Sequence, residues 1–241
     1  MKKKAQVTVF IILAILIIAV IVLLFVFRDK IGLDGGVDSE ISPIYNFVSY
    51  CILETGLEGF IELGENGGYY ELPNKVTPEG IPYYYINREI IIPTNKELEK
   101  HISLYVEDNL RYCIFEFIDF PEYNVTYQEI DVQSKISENT VTIDVRWPVY
   151  VRYKDKSHKI EDFRDNTVFI RIDTIRKVVE ELVDLFDKEP SNLCISCMQE
   201  IGHRYNVTIS SKEIDSETLI FKIVDLGGTS QYGLQFAFKN E

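Results

Sequence analysis

Histidines and recognisable catalytic motifs are scarce in this chain. Its 241 residues include three histidines, and none stands in a local pattern typical of a metal site or a catalytic set. The sequence lacks the GxSxG, HExxH, Walker A and GxGxxG motifs, which mark common hydrolases, zinc proteases and nucleotide-binding folds. We therefore expect no cofactor and no metal and identify no catalytic residue. The sequence favours a non-enzymatic role without excluding an enzyme.

Positive charge is also in short supply. The chain has 25 lysine and arginine residues against 38 aspartate and glutamate residues, which gives a formal net charge of −13. Three of the basic residues are Lys2, Lys3 and Lys4, so the remainder of the chain is more acidic still. Such a surface repels nucleic-acid phosphates and anionic lipid headgroups. We therefore expect no nucleic-acid partner and predict a well-solvated domain.

Charge is missing altogether from residues 5–27, which consist mostly of Ile, Leu, Val and Phe. As a helix this stretch is about 34 Å long, enough to cross a hydrocarbon core of about 30 Å. A cleaved secretory signal has a shorter apolar region, of about 7–15 residues, followed by small residues. Residues 23–28 offer no such site, so we predict a retained transmembrane helix at 5–27 after a basic cytoplasmic stub at 1–4. The lysines of that stub place the N-terminus in the cytoplasm and the following domain outside the cell membrane.

The first ten residues also carry a processing motif. Lysines, Ala5, Gln6, a hydroxyl residue and an apolar helix follow one another, which resembles the class III signal of archaeal type IV pilin-like precursors. The resemblance implies cleavage between Ala5 and Gln6, with the helix retained in the bilayer. Phe10 stands where pilin subunits usually carry the glutamate that is linked to subunit docking, so the resemblance covers the anchor and leaves filament assembly open. After this start come a helix with a central cysteine and a Gly-Gly-Tyr step. This order of elements resembles that of an uncharacterised family of archaeal membrane-anchored proteins. A signal-anchor that is never cut is the alternative.

Residues 28–41 combine glycines with acidic residues and are typical of a flexible linker. We predict an extracytoplasmic domain at 42–241, with a sub-boundary near residue 120 as an option. The periodicities predict helices at 42–63, 94–117, 175–186 and 193–203, and strands at 83–86, 89–92, 141–153 with a bulge or an edge position at Pro148, 168–172, 205–209, 219–224 and 234–238. We expect Ser42 to cap the first helix and Gly64 to stop it, and Thr94 with Glu97 three residues later predicts a capping box at the second. Because the later strands follow one another through short connections, we expect an α+β domain with a largely antiparallel sheet and three to four amphipathic helices.

Two of the four cysteines, Cys51 and Cys113, each lie on the apolar stripe of a predicted long helix. If these helices pack together, a disulfide between them closes a loop of about 60 residues and contributes about 4 kcal/mol in the chain-entropy model. Two buried free thiols are the alternative. Sequence alone allows three pairings of four cysteines, so the Cys51–Cys113 pair is a preference.

The other two cysteines form the motif Cys194-Ile195-Ser196-Cys197. A local structural disulfide, a redox-active pair and two reduced thiols are all compatible with it. A thioredoxin-like site would need a preceding βαβ unit, and an amphipathic helix stands there instead. Glu200 and His203 extend the spacing into a zinc-like series, but these positions fan across half of a helix and cannot all reach one ion.

Two sequons, at Asn124 and Asn206, are glycosylation candidates, because the predicted topology places both outside. Ordinary strand composition explains the same residues. Tyrosines concentrate in the first half of the domain, where aromatic side chains with a polar tip serve sugar or protein interfaces, although some of them must be core.

Three functional hypotheses remain. The first is a single-pass, membrane-anchored surface protein with a structural or interaction role, such as a pilin-like accessory component. The second is a membrane-tethered thiol–disulfide oxidoreductase that uses Cys194 and Cys197. The third is an extracytoplasmic domain that binds sugar or peptide. The partners expected are the lipid bilayer, through residues 5–27, and other proteins at the cell surface.

Overall fold

The chain beyond residue 40 folds into helices and mostly antiparallel strands. The computed structural model describes residues 17, 38–188, 193–228 and 232–240. The chain from Glu40 to Glu241 forms one compact unit, which includes the residues on both sides of position 120. The α+β class predicted from the sequence is therefore confirmed for this part of the chain.

The predictions for the N-terminal anchor fall outside the described residues. They are the transmembrane helix at 5–27, of which residue 17 alone is described, and the cleavage site between Ala5 and Gln6. Within the part of the chain that the structure does describe, no helix is both long and apolar enough to cross a membrane.

Four helices and nine strands make up the described part of the domain. In chain order they are α1 (Ser42–Glu65), β1 (Tyr83–Ile86), β2 (Glu89–Ile90), α2 (Asn95–Ile114), β3 (Asn124–Tyr127), β4 (Asp131–Ile136), β5 (Thr140–Tyr153), β6 (Lys156–Phe169), α3 (Ile172–Lys188), α4 (Ile195–Tyr205), β7 (Val207–Glu213), β8 (Thr218–Asp225) and β9 (Gly233–Lys239). A short 3₁₀ turn, Phe115–Phe117, follows α2 directly.

The ends of α1 differ from the sequence prediction. Ser42 was expected to cap the helix, but Ile41 occupies the cap position and no side chain bonds the first turn. Gly64 was expected to stop the helix, yet it lies inside it. A Cβ atom at Gly64 would lie 2.0 Å from the carbonyl oxygen of Gly233, so this glycine lets α1 approach β9 closely.

Local rules predict α2 and α3 well. Thr94 and Glu97 form the expected capping box, in which each side chain bonds the other residue's backbone N–H. The amphipathic stripe predicts the centre of α3 correctly, and the helix extends it to Ile172–Lys188. The predicted strand at 168–172 is therefore wrong at its end, because Ile172 already belongs to α3.

The first sheet has five strands in the order β2-β1-β9-β8-β7. All neighbours are antiparallel except β1 and β9, which run parallel. A register shift interrupts β1 between Tyr83 and Tyr85. The two tyrosines that follow Tyr83 are consequently both buried, although strict alternation predicts opposite faces for them.

The second sheet centres on β5, which pairs antiparallel with β6 along its length and with β3 and β4 on its other side. The register of β5 and β6 shifts between Arg146 and Val149, where Pro148 predicted a bulge. The sequence did not predict β4 or most of β6. Their exposed positions carry mostly charged or polar side chains, so the apolar alternation is weak.

Helix α1 contacts strands of both sheets and also packs along α2. Phe186 of α3 contacts Tyr85 and Phe238, so α3 covers the first sheet. The aromatic core between α3 and that sheet forms one side of the site described next.

Candidate functional site

The Cys194–Cys197 motif lies at the N-terminus of α4. The structure joins the two cysteines by a disulfide, and both are half-buried. Cys194 is the cap residue of the helix, and the backbone N–H of Cys197 donates a hydrogen bond to its Sγ atom at 3.2 Å. A helix N-terminus and a donated N–H both favour negative charge on a sulfur atom, so a reduced Cys194 would be stabilised as thiolate.

An apolar pocket of about 280 Å³ opens beside this disulfide. The two cysteines form one wall, and aliphatic or aromatic side chains from α3, α4 and β8 form the others. These side chains are Leu182, Leu185, Phe186, Met198 and Phe221. A lining of this kind suits an apolar group.

Aromatic packing holds two walls of the pocket in place. Phe186 contacts Tyr85 and Phe238, with ring centroids 5.3 and 5.0 Å apart. Phe221 contacts Phe236 and Phe238, at 5.6 and 4.6 Å. These two walls are therefore part of the core and are preorganised.

Two polar contacts fix α4 against α3 at the end opposite the cysteines. The hydroxyl of Tyr205 donates to Glu181 at 2.5 Å, and Arg204 donates to the same carboxylate at 2.9 Å. The hydrogen bond to Glu181 raises the pKa of Tyr205 above its usual value, so the hydroxyl keeps its proton as donor.

Arg171 clamps the C-terminus of α4. Its guanidinium pairs with the buried carboxylate of Asp225 and donates to the carbonyl oxygens of Tyr205 and Asn206 at 3.2 and 3.1 Å. The last carbonyls of α4 lack partners within the helix, so this cation satisfies them. The pocket is thus bounded by a helix whose C-terminal end is held by α3 and Arg171.

No known protein family, curated protein or solved structure matches this chain.

The zinc-like series Cys194, Cys197, Glu200 and His203 does not form a metal centre while its cysteines are oxidised. Cys194 and Cys197 are joined by a disulfide, so they offer no thiolate as a ligand. His203 is exposed, and Glu200 lies 3.6 Å from Arg204 in an ion pair along the helix. The other two histidines lie elsewhere: His101 accepts the backbone N–H of Tyr70, and His158 lies 3.7 Å from Glu40.

Cys51 and Cys113 form a second disulfide, which is the pairing that the sequence favours. It joins α1 to the end of α2, with Cα atoms 5.6 Å apart and a sequence separation of 62. Cys51 is fully buried. Because both helices contribute to the core, this bridge stabilises the domain and is a poor candidate for chemistry.

Both sequons are exposed. Asn124 and Thr126 lie on β3, Asn206 caps the C-terminus of α4, and Thr208 lies near the start of β7, with all four residues exposed to solvent. Each of these strands forms the edge of its sheet. The structure therefore leaves both candidate asparagines accessible to a modifying enzyme.

Much of the tyrosine cluster belongs to the core. Tyr84 and Tyr85 are buried, and their hydroxyls donate to the carbonyl of Gly67 and to Asp187 at 2.6 and 2.8 Å. Burial raises the pKa of Tyr84 well above its usual value. These hydroxyls serve packing and are not part of an open interface.

A wider and more polar groove of about 740 Å³ lies against the first sheet. Side chains of Glu79, Ser211, Lys212, Lys222 and Gln235 contribute to its lining. Such a lining suits an extended polar ligand, and this is the place where the sugar- or peptide-binding hypothesis would apply.

Sequence reasoning identified the two cysteines of the pocket and missed its apolar walls. Phe186 was recognised only as part of a helical stripe, and Phe221 only as part of a strand. The pocket exists because α3, α4 and β8 converge, and no local pattern in the sequence encodes that convergence.

Proposed function

We propose that this protein is a single-pass, membrane-anchored surface protein whose domain has a structural or interaction role outside the cell. One observation carries the proposal: all four cysteines of the chain are paired in two disulfides within one domain. Disulfides persist in oxidising compartments and are rare in the cytosol. This supports the topology that the uncharged stretch at 5–27 and the preceding lysines predict.

The apolar pocket beside Cys194 and Cys197 supports the interaction role. A partner would insert an apolar side chain between α3 and α4, next to the Cys194–Cys197 disulfide. In this proposal the disulfide closes a wall of the pocket and holds the start of α4 in shape.

Surface labelling tests the topology. A membrane-impermeant amine reagent is added to intact cells, and labelled lysines are located by peptide mass spectrometry. We expect labels on domain lysines such as Lys75 and Lys135, whose side chains are exposed to solvent. The control that should remain unlabelled is the stub with Lys2, Lys3 and Lys4. If the signal has been cut, a cytoplasmic protein replaces it as the control. Domain lysines that react only after permeabilisation would exclude the surface location.

The pilin-like form of the proposal has its own tests. Intact mass of the mature protein reports cleavage between Ala5 and Gln6, because a cut chain starts at Gln6. A filament component would also leave the cells with sheared filaments, whereas a lone anchored protein would stay with the membrane fraction.

A second candidate function is thiol–disulfide exchange, which the hydrogen bond from Cys197 N–H to Cys194 Sγ favours. A substrate thiolate attacks the sulfur of Cys194, the Cys194–Cys197 bond breaks, and Cys197 leaves as a thiolate that takes up a proton. The second substrate thiol, on losing its proton, attacks the mixed disulfide and releases Cys194. The substrate loses two electrons and two protons, and the cysteine pair gains both.

Insulin reduction with dithiothreitol as the electron donor separates the two candidates. If exchange is the function, Cys194→Ser and Cys197→Ser abolish the acceleration that the intact protein gives. Ser196→Ala keeps both cysteines and serves as the matched control. Equal rates with and without the protein would remove the redox candidate and leave the surface role unaffected.

A further inference from the structure

The most exposed large apolar side chains of the described domain lie within seven consecutive residues. They are Tyr112, Phe115 and Ile118, with 79%, 66% and 64% of their surface accessible. We refer to residues 112–118, at the end of α2, as the 112–118 turn. Single exposed apolar residues are common on soluble proteins, but a cluster of them marks an interaction surface.

The backbone of this turn has an unusual conformation. Phe115, Glu116 and Phe117 have φ angles of +40°, +54° and +57°, which side chains with a Cβ atom rarely adopt. Such residues each cost of order 1–3 kcal/mol, and they cluster at functional sites. The turn persists because Phe117 is buried against Trp147, with ring centroids 6.1 Å apart. A buried aromatic anchor thus holds Phe115 and Ile118 out towards solvent.

The 112–118 turn lies at the end of the domain where the chain arrives from its N-terminal segment. Just beyond the turn, Phe120 contacts Phe47 in the first part of α1, at 5.0 Å between ring centroids. The hydroxyl of Tyr123 donates to the carbonyl oxygen of Glu40, the first residue of the compact unit. The polypeptide that leads back to residues 5–27 therefore joins the domain beside this surface.

The Cys51–Cys113 disulfide adds a fourth apolar side chain to this surface. Tyr50, next to Cys51, is 57% exposed and lines a groove of about 380 Å³ together with Tyr112. The disulfide between their sequence neighbours keeps the two tyrosines side by side. Tyrosine is enriched at the boundary between headgroups and acyl chains, and phenylalanine and isoleucine add apolar surface that a bilayer can bury there.

We propose that the 112–118 turn inserts into the interfacial layer of the membrane that anchors the chain. The inference rests on the proposed anchor at 5–27. Twelve residues, 28–39, separate that stretch from Glu40 and span at most about 40 Å when fully extended. The surface at Tyr112, Phe115 and Ile118 consequently stays within reach of the bilayer.

The charges around the turn define the lipid class. Glu116 and Asp119 are exposed at the turn, Glu54 and Glu58 line the neighbouring groove, and Arg111 is exposed just before Tyr112. The four carboxylates outnumber this arginine and repel anionic headgroups, so the partner is a bilayer with neutral or zwitterionic headgroups. The contact holds the domain against the membrane at this end, with the pocket at α4 belonging to a different part of the domain.

Fluorescence in vesicles tests the contact. The full-length Phe115→Trp variant is reconstituted into phosphatidylcholine vesicles with and without bromine atoms on the acyl chains, which quench tryptophan on contact. The native Trp147 is buried, and its signal is subtracted with the unsubstituted protein. We expect a blue-shifted emission and loss of intensity in brominated vesicles. Phe169→Trp, at a residue that is 63% exposed on β6, is the matched control and should keep its intensity.

The outcomes separate this inference from the proposed function. If the protein floats with the vesicles but both variants keep their emission, the contact is overturned and the anchor stands. If the protein does not float with the vesicles, the anchor itself is wrong. A concentration-dependent shift of the Phe115→Trp emission in detergent, without quenching in vesicles, would show that a second copy covers the turn and would also overturn the proposal.

Discussion

Arg171 and Asp225 form a buried ion pair that joins three elements of the domain. The Nε atom of Arg171 donates to both carboxylate oxygens of Asp225, at 3.1 and 3.2 Å. Arg171 precedes α3, Asp225 ends β8, and the same guanidinium bonds the last carbonyls of α4. The contact therefore positions the two helices that line the pocket.

We expect Asp225→Ala to destabilise the domain by about 3–5 kcal/mol, because it leaves a largely buried guanidinium without its counter-charge. Urea unfolding followed by circular dichroism measures the loss. Asp162→Ala removes an exposed ion pair with Arg164 and should cost less than about 1 kcal/mol. Equal losses for the two variants would contradict a clamping role for Arg171.

Two glycines of α1 should respond differently to alanine. A Cβ atom at Gly56 would lie 2.5 Å from the terminal Cδ1 of Ile143, which a rotation of that side chain relieves. We expect Gly56→Ala to cost about 1–3 kcal/mol, as overpacking does. At Gly64 the obstacle is the backbone oxygen of Gly233, so β9 itself must move and the loss should be larger. Urea midpoints of the two variants decide the order, and a smaller loss at Gly64 would show that α1 and β9 are not held this closely.

The two disulfides should differ in stability and accessibility. In the chain-entropy model the Cys51–Cys113 bridge contributes about 4 kcal/mol and the Cys194–Cys197 bridge about 2 kcal/mol, because the second closes a much shorter loop. Cys51 is fully buried, whereas Cys194 and Cys197 are both half-buried.

Under limiting dithiothreitol without denaturant we therefore expect Cys194 and Cys197 to be reduced first. Timed alkylation followed by peptide mass spectrometry measures the order. Addition of urea should bring the reduction of the Cys51–Cys113 pair forward, since the exposure of Cys51 needs unfolding. Simultaneous reduction of both pairs in native buffer would contradict the burial of Cys51.

Acid should weaken the packing of His101. Partial burial lowers the pKa of this imidazole below its usual 6.5, and the charge of Lys100 adds to the effect, although Glu71 and Glu97 oppose it. The backbone N–H of Tyr70 donates to its Nδ1 atom, which requires that nitrogen to be unprotonated. The unfolded chain therefore binds the proton more readily, so stability falls as the pH drops below about 6.5.

His101→Gln should flatten that decline, because the amide has no proton to gain. Unfolding free energies between about pH 5 and pH 7.5 provide the measurement. His203→Gln, at an exposed position on α4, is the control variant and should keep the decline of the unsubstituted protein. A decline that persists in His101→Gln would assign the acid sensitivity to other groups.

Features that depend on neighbouring residues could be predicted from the sequence. The capping box of Thr94 and Glu97 is one, since three residues separate its partners and both are chemically distinctive. The stripe of α3 and the α+β class followed from periodicity in the same way. The irregularity at Pro148 followed from the missing backbone N–H of proline.

Features that depend on distant residues came only from the folded chain. Strand β6 carries few apolar side chains, and its pairing with β5 identifies it as a strand. The burial of both Tyr84 and Tyr85 requires the register shift of β1 against β9. For the site, the sequence identified Cys194 and Cys197 but not the aromatic walls that meet them.

The sequence by itself therefore determined the charge of the domain, its local helix signals and the presence of a CxxC motif at Cys194 and Cys197. Tertiary structure decided that Cys51 meets Cys113, that Phe221 and Phe186 close a pocket, and that Tyr112, Phe115 and Ile118 stay exposed. The physical reason is the separation along the chain over which each effect acts. Capping and amphipathic periodicity act over a few residues, whereas burial depends on which surfaces of distant elements exclude water together.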